Sequence, residues 1–392
     1  MSLRRRSLLG LVLAAFAFGA PACSPATETP AAPLPSPEPT SPAEPTDAAP
    51  AQSPECVAED DALRASLRGV AHVQGGSVVA VDSEGCGMRT LTTDEKKAPA
   101  NALYRVGSVT KTYVAAAVLK LADQGVLSLD DTLARWVPGV AHTEGVTLRH
   151  LLGHTSGVFN YTDDPAMQSG RTIGTPATQR ELVALAEKHE RNFEPGTAFE
   201  YSNTNYVLLG LVLEAATNKP LATDLRAALL EPLGLAATFL DGYEPVTGER
   251  AHAFAKDGED VSDILNPTRV AGAGAMLATA PELARWIASF GDGALFSEST
   301  RTAARQTRPM GRPGYGYGLG TIVLAKEQTK GLGQGYGHTG EYLMYRTAAF
   351  RFPDAKVTLV VFTNEESVNA EQVMFRILPS IAAGHPAPTT TP

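Results

Sequence analysis

Two sets of strand-like segments stand near opposite ends of this chain, and almost everything between them reads as helix. Toward the front, Ser77–Asp82 and Met88–Thr92 flank a turn at Glu84-Gly85. Toward the back, Gly318–Leu324, Tyr345–Phe352 and Val357–Thr363 carry the same β-branched and aromatic character. Helical apolar spacing marks Asp60–Val70, Val114–Leu121, Tyr206–Ala215, Ala222–Leu230, Glu282–Phe290 and a last segment around Ala370–Ile381. Thr147 reads as the N-cap of Leu148–Leu152, and Thr178 with Glu181 forms a capping box before Leu182–Glu187. Strands cannot stand alone, so the two ends must meet in one antiparallel sheet. The expected class is therefore α/β in the α+β sense: a sheet built from both chain ends, flanked by helices, with an inserted all-helical lobe over about 115–290. A cleft between lobe and sheet is the natural place for a site.

The first 55 residues lie outside that architecture. Arg4-Arg5-Arg6 followed by the apolar run Leu8–Ala20 reads as an export signal over residues 1–22, with a loose twin-arginine pattern at Arg5-Arg6. Two cleavage patterns overlap. Ala20-Pro21-Ala22 fits ordinary small-x-small cutting, while Ala20-Pro21-Ala22-Cys23 resembles a lipobox. Of the three cysteines, Cys56 and Cys86 make one disulfide pair for an oxidising compartment, which leaves Cys23 as a lipid anchor. Residues 23–55 are rich in proline and alanine, and Ser24–Pro54 has no lysine or arginine. Such a segment has too little apolar surface to form a core and is expected to be a solvated tether. The folded body is expected over 56–385, with an unstructured tail at 386–392. The expected location is outside the cytoplasm, membrane-tethered through Cys23 or fully secreted.

Within the body, Ser108-Val109-Thr110-Lys111 sits where the strand-like Ala102–Gly107 meets the apolar helix. A serine hydroxyl is a poor nucleophile until a base removes its proton, and three helical positions place Lys111 beside Ser108. The helix start adds unpaired N–H groups and partial positive charge suited to a developing oxyanion. Taken singly, the tetrapeptide is an ordinary helix start. Two further groups follow, Tyr201-Ser202-Asn203 and His338-Thr339-Gly340, each at the junction of two elements. The flanks read Tyr104-Arg105-Val106-Gly107, Thr147-Leu148-Arg149-His150-Leu151-Leu152, Thr204-Asn205-Tyr206 and Tyr336-Gly337.

On these stretches, about Asp60 to Ile381 resembles the serine beta-lactamase and penicillin-binding-protein superfamily, nearest to class C beta-lactamases and secreted D-alanyl-D-alanine carboxypeptidases. The resemblance implies acyl transfer through a Ser108 acyl-enzyme. Lys111 is then the base, or a charge that keeps Tyr201 deprotonated. Tyr201 carries a proton to the leaving group, and Asn203 holds Lys111 and the substrate amide. The resemblance counts His338 among the catalytic residues and gives Thr339, Gly340 and Glu341 to substrate binding, with the backbone N–H groups of Ser108 and Glu341 as the oxyanion hole. The implied substrates are peptidoglycan stem peptides, related D-amino-acid amides and esters, or beta-lactams. The same machinery also serves a class C-like beta-lactamase, a promiscuous esterase, or a slow-acylating penicillin sensor.

Three departures bear on that choice. His338 stands where class C enzymes carry lysine, and histidine is mostly neutral at pH 7. Thr321 and Ile322 follow Tyr317-Gly318-Leu319-Gly320, where the carboxypeptidases place a carboxylate-binding arginine. Glu341 replaces their threonine, and Arg346 on the next strand is the candidate to compensate. The His154-Thr155-Ser156-Gly157 stretch reads as the turn after Leu148–Leu152. A net charge of −9 over 392 residues argues against nucleic acid, and a membrane partner is expected only through the lipid anchor. No Cys/His/Asp group has zinc-ligand spacing, so neither metal nor cofactor is expected.

Overall fold

The computed structural model describes residues 53–168 and 173–385. The export signal, Cys23, almost all of the tether and the tail lie outside the described residues. The tether's expected end at 55 is corrected: Ser53 caps the first helix, Pro54–Leu67, by accepting from the Cys56 N–H, and Pro54 is its first residue. Proline suits that position because its missing N–H would have no helical partner there.

Among the described residues, eleven strands form two antiparallel sheets. The large one has eight strands in the order β2-β1-β11-β10-β9-β8-β7-β6. Here β1 is Ser77–Ser83 and β2 is Gly87–Thr92. The small one pairs β3 (Tyr104–Arg105), β5 (Met276–Ala278) and β4 (Thr238–Leu240) in that order. The remaining strands of the large sheet are β6 (Arg308–Pro309), β7 (Tyr315–Tyr317), β8 (Ile322–Leu324), β9 (Gly335–Tyr342), β10 (Tyr345–Phe352) and β11 (Val357–Thr363). The two chain ends join where β1 pairs β11, with Val79 opposite Val361.

The centres of these two strands, Val78–Val81 and Leu359–Phe362, are continuous apolar runs because each is covered on both faces. Val78, Ala80, Val360 and Phe362 face the main core, which also holds Leu283, Trp286 and Ile287 of the Ala280–Asp292 helix. Val79, Val81, Leu359 and Val361 face a second core under the Pro54–Leu67 and Ala370–Ala382 helices, supplied by Leu63, Leu67, Met374 and Ile377. The Cys56–Cys86 disulfide ties the first of these helices to the β1–β2 turn.

The insert differs from expectation in two ways. It is not purely helical: β4 and β5 pair within it and hold β3. Its limit at 290 is also too late, because the Ala280–Asp292 helix packs on β1, β10 and β11 and so belongs to the sheet. The expected strand Gly318–Leu324 is instead the turn and second arm of a hairpin. Gly318 N–H donates to Thr321 O at 2.9 Å, and glycine is required at 320, where φ is +83° and a Cβ would run into Ala115.

Candidate active site

The Thr110–Asp123 helix, entered through a tight Gly107–Val109 turn, is buried on all sides from Thr110 to Leu119. Its start is fixed by two hydroxyls: Thr110 Oγ1 accepts from Met276 N–H at 3.0 Å, and Thr112 Oγ1 accepts from Trp286 Nε1–H at 2.7 Å. Lys111 is fully buried with its Nζ 3.0 Å from Ser108 Oγ, 2.8 Å from Asn203 Oδ1 and 2.8 Å from Ala273 O. Asn203 opens the Asn203–Thr217 helix, and its own N–H is held by Asn160 Oδ1 at 2.9 Å. Ala273 lies in the short Ala271–Gly274 helix. The run of small residues there is needed, since a Cβ on Gly272 would sit 2.8 Å from Tyr206 O.

These three contacts surround the amine, and its burial bears on its charge. Burial holds the Lys111 pKa well below its ordinary value. A neutral amine has two N–H groups and one lone pair. Two of its neighbours are carbonyl oxygens that can only accept, and the third is the Ser108 hydroxyl. In the neutral form the two N–H groups would go to Asn203 and Ala273, with the lone pair toward Ser108 Oγ.

Tyr201 packs its ring 4.8 Å from Lys111 Nζ. Its hydroxyl is buried with no well-formed hydrogen bond among the described residues. Burial raises its pKa above the usual phenol range, against a smaller opposing pull from the Ser108 hydroxyl. Burial therefore holds it as a neutral phenol. His338 is also neutral: burial, then the nearby Lys111, push its pKa down to about 3. Its Nδ1–H faces Thr339 O, so Nε2 accepts from the Tyr317 hydroxyl at 3.1 Å. It offers the cleft no fixed charge.

Expected on an edge-facing strand, His338 lies on β9 where pairing with β8 ends at Gly337. Beyond that point the strand presses on the serine turn. A Cβ on Gly107 (φ +53°) would lie 2.5 Å from Glu341 N, and one on Gly340 would lie 3.1 Å from Ser108 N. Only glycines permit this close approach of β9 to the serine turn.

A cleft of about 310 Å³ opens there, lined by Ser108, Tyr201, Thr339 and Glu341 among others. Arg346 reaches it but is already occupied. Its Nη1 donates to the carbonyls of Glu365 (3.2 Å), Glu366 (2.6 Å) and Val368 (3.3 Å), while Nη2 lies 3.6 Å from Glu341 Oε1. Arg312 pairs with Glu371 at 2.9 Å, and Asn369 caps the adjoining helix by accepting from Glu371 N–H at 2.9 Å. The cations around the cleft therefore already have partners. Sequence reasoning did not find Ala273, Tyr317, Arg312 or Glu371; the Ala-Gly-Ala-Gly run at 271–274 was the one visible sign of close packing.

A second serine–histidine–carboxylate chain exists outside this cleft. Ser77 Oγ is 3.0 Å from His72 Nε2, whose Nδ1 is 3.1 Å from Glu365 Oε1. Ser77 is completely buried, so no substrate carbonyl reaches it. The chain is a structural tie at the start of β1, with Glu365 Oε2 also accepting from the Gln74 and Gly75 amides.

Comparison with known proteins places this geometry. The family model described as Beta-lactamase matches residues 57–377. Penicillin-binding protein 4* of Bacillus subtilis (strain 168) is 26% identical over 313 residues, covering 75% of this chain and 68% of that protein. The structure of a D-stereospecific amidohydrolase from Streptomyces sp. superposes with a TM-score of 0.72 at 30% identity, covering 84% of this chain and 98% of that one. A D-amino acid amidase from Ochrobactrum anthropi SV3, complexed with D-phenylalanine, shares the fold with a TM-score of 0.72 at 22% identity, covering 82% of this chain and 99% of its own. With its serine, lysine, tyrosine and asparagine gathered at one cleft, this chain belongs to the beta-lactamase family, within the serine beta-lactamase and penicillin-binding-protein superfamily.

Proposed function

We propose that the protein is a serine hydrolase that forms an acyl-enzyme at Ser108 and acts on amides, esters and peptides of D-amino acids. The observation that carries this is the dry amine of Lys111, with two carbonyl acceptors and one hydroxyl around it. Ser108 Oγ attacks the scissile carbonyl as its proton passes to Lys111 Nζ, and the carbonyl electron pair moves onto oxygen between the Ser108 and Glu341 amides. On collapse the C–N or C–O bond breaks. The leaving atom takes the Tyr201 proton, which Lys111 replaces. Water then attacks the acyl carbon as its proton passes to the same pair; the bond from that carbon to Ser108 Oγ breaks, and the pair returns the proton to Oγ as the acid product leaves. The preference for D-substrates draws on the amidohydrolase likeness.

The charges around the cleft favour an uncharged leaving group. Arg346 and Arg312 have partners, and the exposed Glu341 carboxylate, held only loosely 3.6 Å from Arg346 Nη2, opposes a second anion. This supports an amidase or peptidase over a carboxypeptidase that grips a terminal carboxylate. The deciding experiment compares turnover of an acyl-D-Ala-D-Ala peptide with that of its C-terminal amide. The amide should be the better substrate by about tenfold or more in kcat/KM, the worth of one unfavourable charge contact. Preference for the free acid would reverse the assignment. Ser108→Ala should abolish both turnover and labelling by a fluorescent penicillin; persistent labelling would mean another nucleophile.

A further inference from the structure

His154 stands in the turn after the Leu148–Leu152 helix, 48 residues before Ser202, yet it holds Tyr201 from three sides. Its carbonyl accepts the Glu200 N–H at 3.0 Å and its Nδ1 accepts the Ser202 N–H at 3.1 Å, so the amides on either side of Tyr201 are both tied to one residue. Its ring lies 4.2 Å from the Tyr201 ring. A second donor to Nδ1, Asn205 Nδ2 at 3.2 Å, fixes the tautomer with the proton on Nε2.

That Nε2–H is buried and has no hydrogen-bond partner among the described residues. It lies among rings instead, with Tyr317 at 4.7 Å and Tyr206 at 5.3 Å between centroids. His154 also has φ +54°, a conformation uncommon for any residue with a side chain. An unpaired buried donor and an uncommon backbone are kept together at a position whose polar contacts hold the Tyr201 loop and the start of the helix that follows it. Burial, Lys111 and His338 together hold the imidazole neutral, so its lone pair stays available to Ser202.

We infer that His154 is a positioning residue for the proton relay, fixing the Tyr201 hydroxyl over Ser108 and Lys111 without touching substrate. The inference rests on the proposed role of Tyr201. A phenol displaced by about 1 Å loses on the order of 100-fold in transfer efficiency. It would also admit water to Lys111, which is faced by Tyr201, Tyr206, His154 and His338.

The test uses the whole protein and the chromogenic p-nitroanilide of D-alanine. Tyr201→Phe should lower kcat by about 100-fold or more, the usual worth of a general acid. His154→Phe keeps a ring but loses the acceptor, and should lower kcat about 10- to 100-fold with KM within about threefold. Its acidic limb of kcat/KM should move to higher pH as Lys111 becomes hydrated. His154→Asn tolerates the left-handed backbone and keeps an acceptor, and should recover most of the rate. If His154→Phe does not fold, His154→Ala is read in the same way.

The positioning role is overturned if Tyr201→Phe is slow while the His154 variant matches wild type in kcat and pH profile. It is equally overturned if His154→Asn is no faster than His154→Phe, or if neither apolar variant folds, since the residue is then structural. Wild-type rates in Tyr201→Phe would sink the relay itself and the inference with it.

Discussion

At the scale of single residues, the site is a set of basic groups stripped of charge. Lys111, His154 and His338 are all held below their ordinary pKa values, chiefly by burial. The sign of the pH response follows. The proposed attack needs Lys111 unprotonated, so kcat/KM should fall as pH drops through the lowered Lys111 pKa, and His338, near 3, should add nothing around neutrality. Lys111→Arg keeps a cation that does not deprotonate and should cost about 10³-fold or more in kcat while substrate still binds, as a pH–rate profile would show. Ser108, Lys111, Tyr201 and Asn203 were legible because each belongs to a short motif with its own spacing. Ala273 was not, because a backbone carbonyl leaves no mark in a sequence. The second partner of His154 at Ser202 was hidden for a related reason: a histidine in a turn looks the same whether its lone pair meets water or a distant amide.

At the scale of elements, the decisive contact is between β9 and the Gly107–Val109 turn. Gly340→Ala would drive a Cβ into Val106 O, and the strand must retreat. The expected outcome is a loss of about 100-fold in kcat, the worth of one oxyanion donor, with far-UV circular dichroism unchanged and KM nearly so. Helices and central strands followed their apolar periods closely. The Thr178–Glu181 capping box, for instance, is present with both reciprocal bonds. The failures fall where local pattern and tertiary packing part company. Gly318–Leu324 has the composition of one strand, but Gly320, packed on Ala115, lies in the turn after β7, and only Ile322–Leu324 is strand. The three-residue β4 and β5 are too short to show a period at all.

At the scale of the molecule, the sheet carries both chain ends and a disulfide that closes a loop of about 30 residues. Chain-entropy reasoning gives such a loop on the order of 3–4 kcal/mol. Replacing Cys56 and Cys86 by alanine should lower the melting temperature by several degrees, read by calorimetry, and leave kcat at 25 °C close to wild type. A substantial loss of activity in the folded variant would mean that the Pro54–Leu67 helix communicates with the cleft. Strands contributed from both ends, helices between them and the site at their seam were all readable in advance, because continuous apolar strands must be covered on two faces. How the insert divides from the sheet at the Ala280–Asp292 helix was not, since an amphipathic helix does not declare which core it joins.

Lys111 draws its reactivity from dryness, and that dryness is supplied by the helices of Asn203 and Ala273 closing over it. An enzyme built this way disarms itself when it loosens. The first water to enter would let the amine keep a proton, so a partly opened chain would lose its nucleophile before it lost its shape. Mild urea should therefore silence hydrolysis at concentrations where the circular dichroism is still that of the native protein.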